Sequence, residues 1–397
     1  MIHALALLLL DVGGGNEPQD KKAKPTGFTW EWRARAELAY DSNIWLLEST
    51  AQERLRDHER GGPPGSPPDD DETSGRYEDM ERVDDFILAP SLSWEATGRS
   101  PLGRRYDFLI GVEIPVYFQN MRRSHLDFDL GLGQAVGADG RLGLAFQFIP
   151  EYFRKNYLAD AVEVGVPNGD IQRNERIYED GTYREFEIAL EYRHKLIDRT
   201  QSQPFGLTGA IEFIYADRSY DSPLTYRDET ATGIRLGLGF QYGPRVKWGL
   251  HYQYVAADSP SESHIVLINE FIYGNQDGFA AIVNNARTNQ IVDRTHNEHE
   301  FGLSVGVELS DKFEVELVYE QLRREFESDN RLDVEHFGRE DVRDSIQTGL
   351  IYKLGKAWQG RLGYLRRVQE SDLDDPEAGD DGDYKRYVFY ASLTYHW

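Results

Sequence analysis

The feature that most constrains this chain is a strict alternation of apolar and polar residues, held over long stretches and repeated to the last residue. In "FTWEWRARAELAYD", Phe28, Trp30, Trp32, Ala34, Ala36, Leu38 and Tyr40 share one side of an extended chain. Thr29, Glu31, Arg33, Arg35, Glu37, Ala39 and Asp41 share the other. A period of two is a β-strand with one apolar face. Soluble strands run about five or six residues, and this stretch is about twice that. It approaches the roughly 9–11 residues of a tilted strand that crosses a membrane.

The pattern recurs until fourteen candidate strands are filled. Apolar stripes run from Phe86 to Trp94, Tyr106 to Phe118, Leu126 to Leu132, Leu142 to Tyr152, Phe186 to Tyr192 and Phe205 to Tyr215. Others run from Ile234 to Tyr242, Val246 to Tyr254, Phe301 to Leu309, Phe313 to Tyr319, Ile346 to Leu354, Trp358 to Tyr364 and Tyr387 to Trp397. Connections alternate between short ones ("GADG", "GPR", "SDK", "LGKAW") and long ones at 42–84, 154–182, 218–230, 256–296, 323–342 and 369–384. "QNMRRS" is short where a long loop is expected. This predicts an all-β fold: a closed antiparallel transmembrane β-barrel of about 14 strands, with short periplasmic turns and long extracellular loops. The even count places both termini at the short-turn rim. A soluble sandwich or propeller also alternates, but its strands are shorter and no propeller repeat is present.

Composition narrows the chemistry. No cysteine among 397 residues excludes disulfides, thiolate metal sites and thiol nucleophiles. A net charge of −25 disfavours nucleic acid, which needs clustered Lys and Arg. No apolar run is long enough for a membrane helix, a test that barrel strands escape because only every second residue is apolar. Ala4 to Leu10, followed by Gly13 to Gly15, resembles a secretory signal without a basic start. The expected organisation is a signal-like segment at 1–15, a linker at 16–26 and the barrel at 27–397.

The closing "YHW" resembles the C-terminal signature of Gram-negative outer-membrane barrels. That resemblance implies the cell outer membrane as location, with lipid, lipopolysaccharide and the barrel-insertion machinery as partners. "AYDSNIW", Ala39 to Trp45, resembles the stretch that closes strand one in barrels attached to polysaccharide-export and surface-lipoprotein-assembly proteins. The strand count resembles monomeric fourteen-stranded porins without an N-terminal plug, and implies a monomer.

The second stripe of each strand points into the lumen. Its candidate pore-lining residues are Glu31, Arg33, Arg35, Glu37, Asp107, Glu113, Asp127, Asp129, Glu185, Glu187, Glu191, Arg193, Glu212, Arg235, Glu314, Glu316, Arg343, Arg361 and Arg386. Charges in such numbers call for water or for partners. Over the whole inner stripe, acids outnumber bases roughly two to one, which favours cations in a pore. The expectation is a water-filled pore, probed by small polar solutes or ions, with the 256–296 loop ("HIVLINEFIYG") as its gate and His264, His296 and His299 as candidates for pH sensitivity. The alternative is a non-conducting barrel whose acids and bases lock together, with a structural or surface and exopolysaccharide-assembly role. A third reading, a hydrolase, rests on "HNEHE" (His296 to Glu300) near Ser304, which lacks the H-E-x-x-H order. A non-enzyme without cofactor or metal is expected. The acidic run "ESDLDDPEAGDDGD" reads as a solvated loop, since its spacing is not that of an EF-hand.

Overall fold

The fourteen alternating stretches become fourteen antiparallel strands in the computed structural model. It describes residues 28–47, 52, 55, 82–99, 104–164, 173–200, 203–222, 224–259, 263–266, 288–291, 293–328, 336–372 and 383–397, with backbone alone at 155–164, 173–179, 226, 263–266 and 288–291. We number the strands β1 (Thr29–Asp41), β2 (Asp85–Arg99), β3 (Arg105–Glu113), β4 (Asp127–Val136), β5 (Gly140–Val164), β6 (Arg173–Ile197) and β7 (Phe205–Tyr220). The rest are β8 (Glu229–Tyr242), β9 (Val246–Asp258), β10 (His296–Glu308), β11 (Phe313–Phe326), β12 (Glu340–Lys353), β13 (Trp358–Asp372) and β14 (Tyr384–His396). The signal-like segment and linker lie outside the described residues.

Each strand pairs with the next, and β14 pairs with β1, from Arg33 opposite His396 to Asp41 opposite Val388. The seam ends on two backbone hydrogen bonds, Trp32 N to Trp397 O and Trp397 N to Trp32 O, both 3.1 Å. The sheet therefore has no free edge, the condition for strands in hydrocarbon. β3 continues through Val116–Tyr117, which pair with Leu88 and Ile87 in the same register. The ladder lapses only where Pro115, which has no N–H, stands near Pro90.

The apolar stripes face outward. Trp30 is 59% exposed and Phe389 55%, and Phe86, Phe213, Leu236 and Leu362 are exposed with them. A continuous belt of this size is stable only against an apolar solvent, so lipid covers it. Six of the seven tryptophans (Trp30, Trp32, Trp94, Trp248, Trp358 and Trp397) sit at strand ends beside the short turns. Trp30 stacks on Trp94 at 5.2 Å, Trp32 on Trp397 at 6.3 Å and Phe240 on Trp248 at 3.7 Å. Amphipathic rings belong at that depth, where hydrocarbon meets headgroups.

One expectation needs correction. The 154–182 connection is not a loop throughout: β5 and β6 keep pairing to Val164 and Arg173. Register shifts at Ile149/Tyr152, Phe153/Asn156 and Leu158/Asp160 break the period of two, so the strand is invisible to an alternation count. Most of the 256–296 gate candidate lies outside the described residues. Within it β9 runs on to Asp258, and Ser263–Val266 pairs with Thr288–Ile291 as a short ribbon.

Candidate pore lining

Parity places all nineteen candidate residues on the inner wall, or, for Arg386 and Glu185, on its long-loop margin. What the wall does with them differs from one end to the other. Toward the short turns the charges pair with immediate neighbours, and those nearest the rim, Glu31, Arg33, Glu95, Arg105 and Arg141, are about 40–60% exposed, while Arg361, Glu316 and Glu314 are covered to 15–16%. Arg33 Nη2 lies 3.0 Å from Glu95 and 3.6 Å from Glu31, whose carboxylate also meets His396 Nδ1 at 2.9 Å. Arg35 pairs with Glu37. Asp107 sits between Arg105 (3.0 Å) and Arg141 (3.2 Å). Lys353 reaches Glu308 at 3.6 Å and Glu314 at 3.8 Å, and Arg361 meets Glu316 at 2.7 Å. The side chain of Glu31 remains 48% exposed and that of Arg141 41%. Ion pairs this open are hydrated and contribute at most about 1 kcal/mol each to stability.

From the middle of the wall to the long-loop rim the same chemistry is buried. Arg235 meets Glu212 at 2.8 Å with only 3% and 6% of their side chains exposed. Arg218 bridges Glu185 (2.9 Å) and Glu229 (3.4 Å) and lies over the Tyr183 ring. Arg343 approaches Glu300 at 4.0 Å, whereas the Arg193–Glu191 pair (2.5 Å) stands opposite Arg141 at the short-turn end with 14% and 16% of its side chains exposed. Arg386 Nε donates to Asp41 at 2.8 Å, and Asp41 is fully buried. Four acids of the wall, Glu113, Asp129, Glu187 and Glu320, have no ion-pair partner among the described residues. Asp127 has His125 at 3.5 Å.

A cluster of apolar and aromatic side chains packs at the long-loop end, and the sequence reading did not locate it. The start of the first loop, with Ile44, Trp45, Leu47 and Leu55, packs with Val83 from its end and with Tyr117 and Phe153 of the wall. Asn43 ties this turn down. Its Nδ2 donates to Leu47 O (2.8 Å) and Lys385 O (3.1 Å), and its Oδ1 accepts from Leu47 N (2.9 Å). Leu46 takes a left-handed backbone (φ 57°), a conformation that costs a branched residue roughly 1 kcal/mol and needs such bracing. The short "QNMRRS" connection supplies the centre. Arg123 is buried with its guanidinium over Trp45 (4.8 Å), Tyr152 (5.1 Å) and Tyr117 (5.6 Å), and its Nη1 donates to Ile44 O at 2.6 Å. Burial lowers the pKa of this guanidinium, and Tyr117, Tyr183 and Asp41 partly offset it. Tyr183, Tyr220 and Leu224 extend the apolar surface, with Tyr152 packed against it. The visible signal was Ala39 to Trp45 itself, an apolar "NIW" inside a polar loop.

The hydrolase constellation does not assemble. His299 lies on the outer face, where Tyr252 Oη is 2.8 Å from its Nδ1. Glu298 and Glu300 point inward, and His296 turns its Nδ1 to Arg294 O at 2.7 Å. Alternate residues of a strand share a face, so His296 Nε2 reaches Glu298 at 3.4 Å, but His299 faces the other way and Ser304 stands eight residues along the strand from His296.

No protein-family model matches the chain, and no curated protein matches it by sequence. Solved structures resemble it loosely. An outer-membrane-expressed OmpT of Vibrio cholerae is 9% identical over 93% of this chain and 97% of its own, with a TM-score of 0.41. The outer membrane channel DcaP of Acinetobacter baumannii is 10% identical over 93% and 97%, with a TM-score of 0.42. An anion-selective porin from Comamonas acidovorans is 10% identical over 94% and 99%, with a TM-score of 0.37. Likeness at this level leaves the architecture to be defined by the chain's own pairing. That pairing defines a closed fourteen-stranded barrel of the outer-membrane type.

Proposed function

We propose that this barrel is an outer-membrane channel for passive diffusion of small polar solutes or ions, held shut at its long-loop mouth by the inward-folded start of the first loop. The observation that carries this reading is the gradient of exposure along one charged wall. Glu31, Arg33 and Arg141 are half-exposed near the short turns, whereas Arg235, Glu212 and Asp41 are buried farther in. Water fills the first zone, because charges left dry there would cost several kcal/mol each. The long-loop rim faces outside and the short-turn rim the periplasm. The partners are membrane lipid, lipopolysaccharide and the insertion machinery, and the unit is one chain. The carboxylates without a basic partner, Glu113, Asp129 and Glu187, support a mild preference for cations.

Single-channel recording of the full chain in planar bilayers tests the proposal. Wild type should show infrequent conductance steps, and Arg123→Ala, which frees Trp45 and Ile44, should raise the open fraction several-fold. A KCl gradient should give a reversal potential of the sign set by potassium. Silence from both proteins at every salt concentration contradicts a channel. It would favour a non-conducting barrel with a surface-assembly role, a reading to which the buried long-loop half of the wall also lends itself.

A further inference from the structure

One cluster on the inner wall touches the ion-pair ladders described above only through the long approach of Arg343 to Glu300. His251 on β9, Glu300 on β10 and Glu320 on β11 bring one ligand atom each within 4.8 Å of one another. The arrangement depends on Gly302. In the register His251 stands opposite Gly302, and Gly302 stands opposite Glu320. The imidazole lies across the glycine: a Cβ added there would come within 2.0 Å of His251 Cε1 and 2.5 Å of Nε2. Only a residue without a side chain lets the ring lie flat over β10, between a carboxylate on its own pairing partner strand and one on the strand beyond. His251 Nε2 is 3.2 Å from Glu300 Oε1. That separation is close to the roughly 3.4 Å between two donors that share an ion at about 2.1 Å in tetrahedral geometry.

Two further observations point to a missing ligand. Glu320 has neither a hydrogen bond nor a close ion pair among the described residues, although it faces the Glu300 carboxylate. Gln253 stands directly opposite Glu300 and two residues along β9 from His251. It is 2% exposed, and its Oε1 has no hydrogen-bond partner. The Glu320 carboxylate and the Gln253 amide oxygen are left without partners beside an imidazole and a carboxylate that meet each other at 3.2 Å, so four donors converge on one place. Arg343 does not fill that role, since it approaches Glu300 through the other oxygen, Oε2, and only at 4.0 Å.

We infer that the lumen holds a divalent transition-metal site of the zinc class, with His251, Glu300 and Glu320 as ligands, Gln253 Oε1 as a fourth donor and Gly302 as the cradle for the imidazole. Mixed nitrogen and oxygen donors suit Zn²⁺ or Co²⁺ and not the all-oxygen shells of Ca²⁺ or Mg²⁺. The ion joins three neighbouring strands at one point of the wall. Its binding is independent of whether the lumen conducts.

The test is isothermal titration of Zn²⁺ into the full chain, folded in detergent, stripped with chelator and carrying no polyhistidine tag. Co²⁺ absorption in the visible range reports the donor set separately. One equivalent is expected to bind. His251→Ala, Glu320→Gln and Gly302→Val should each weaken binding at least tenfold, the last with all ligands intact. His299→Ala, on the outer face of β10, should leave it unchanged. Heat-dependent gel mobility establishes that each variant is folded, and Glu320→Gln, which preserves shape, decides alone if the other two fail to fold. The absence of a binding isotherm for folded wild type overturns the site, as does unchanged affinity in any folded variant of the first three.

Discussion

Asp41 shows how single residues hold this wall together. It ends β1 fully buried, accepts from Arg386 Nε at 2.8 Å and from Asn43 N at 3.1 Å, and so joins the first strand, the last strand and the first loop. Removing one partner of a buried pair leaves the other charge without compensation, at a cost of about 3–5 kcal/mol. Asp41→Ala should lower stability by about that much, measured by urea unfolding in lipid vesicles with tryptophan fluorescence. The open pair Arg33–Glu95 is the contrast. Glu95→Gln should change stability by less than about 1 kcal/mol in the same measurement. Asp41 and Arg33 were legible in the sequence as members of the polar stripe of the first strand. Their different worth was not, because it depends on what the first loop does above them.

At the scale of the strand, the two faces answer to two solvents. Leu362 faces lipid on β13, and Gln359 faces the lumen three residues before it. Leu362→Arg should cost about 2–4 kcal/mol near the bilayer midplane, and Gln359→Arg should cost little. Unfolding midpoints of the two variants in vesicles check this, and equal losses would contradict it. The last strand carries a kinetic prediction. Truncating His396 and Trp397 removes the two terminal seam hydrogen bonds and the stack on Trp32. Closure of the barrel should slow, seen as delayed appearance of the folded band in a gel-mobility time course. Strands such as β1 and β14 were readable because nothing interrupts their alternation. The outer halves of β5 and β6 were not, because three register shifts scramble which residues share a face.

For the whole molecule, the closure of β14 on β1 and the outward belt follow from patterns that run the length of each strand, and these survive in the linear sequence. The aromatic cluster at the long-loop end does not. Arg123, Trp45, Tyr117 and Tyr152 come from four separate segments, and only the closed barrel brings them together. The metal cluster is likewise set by register: His251 and Glu320 meet because Gly302 lies between them across the sheet. The central claim is that hydrocarbon wets one face of every strand and water the other. The native absence of cysteine allows a direct test. Single cysteines placed in pairs on opposite faces of one strand, Glu37→Cys with Leu38→Cys, Ser93→Cys with Leu92→Cys and Gln359→Cys with Leu362→Cys, are exposed to a charged, membrane-impermeant maleimide in lipid vesicles. The barrel account predicts rapid labelling of Glu37→Cys, Ser93→Cys and Gln359→Cys and protection of the three leucine positions. Equal labelling within the pairs, or protection of the inward positions, would contradict it.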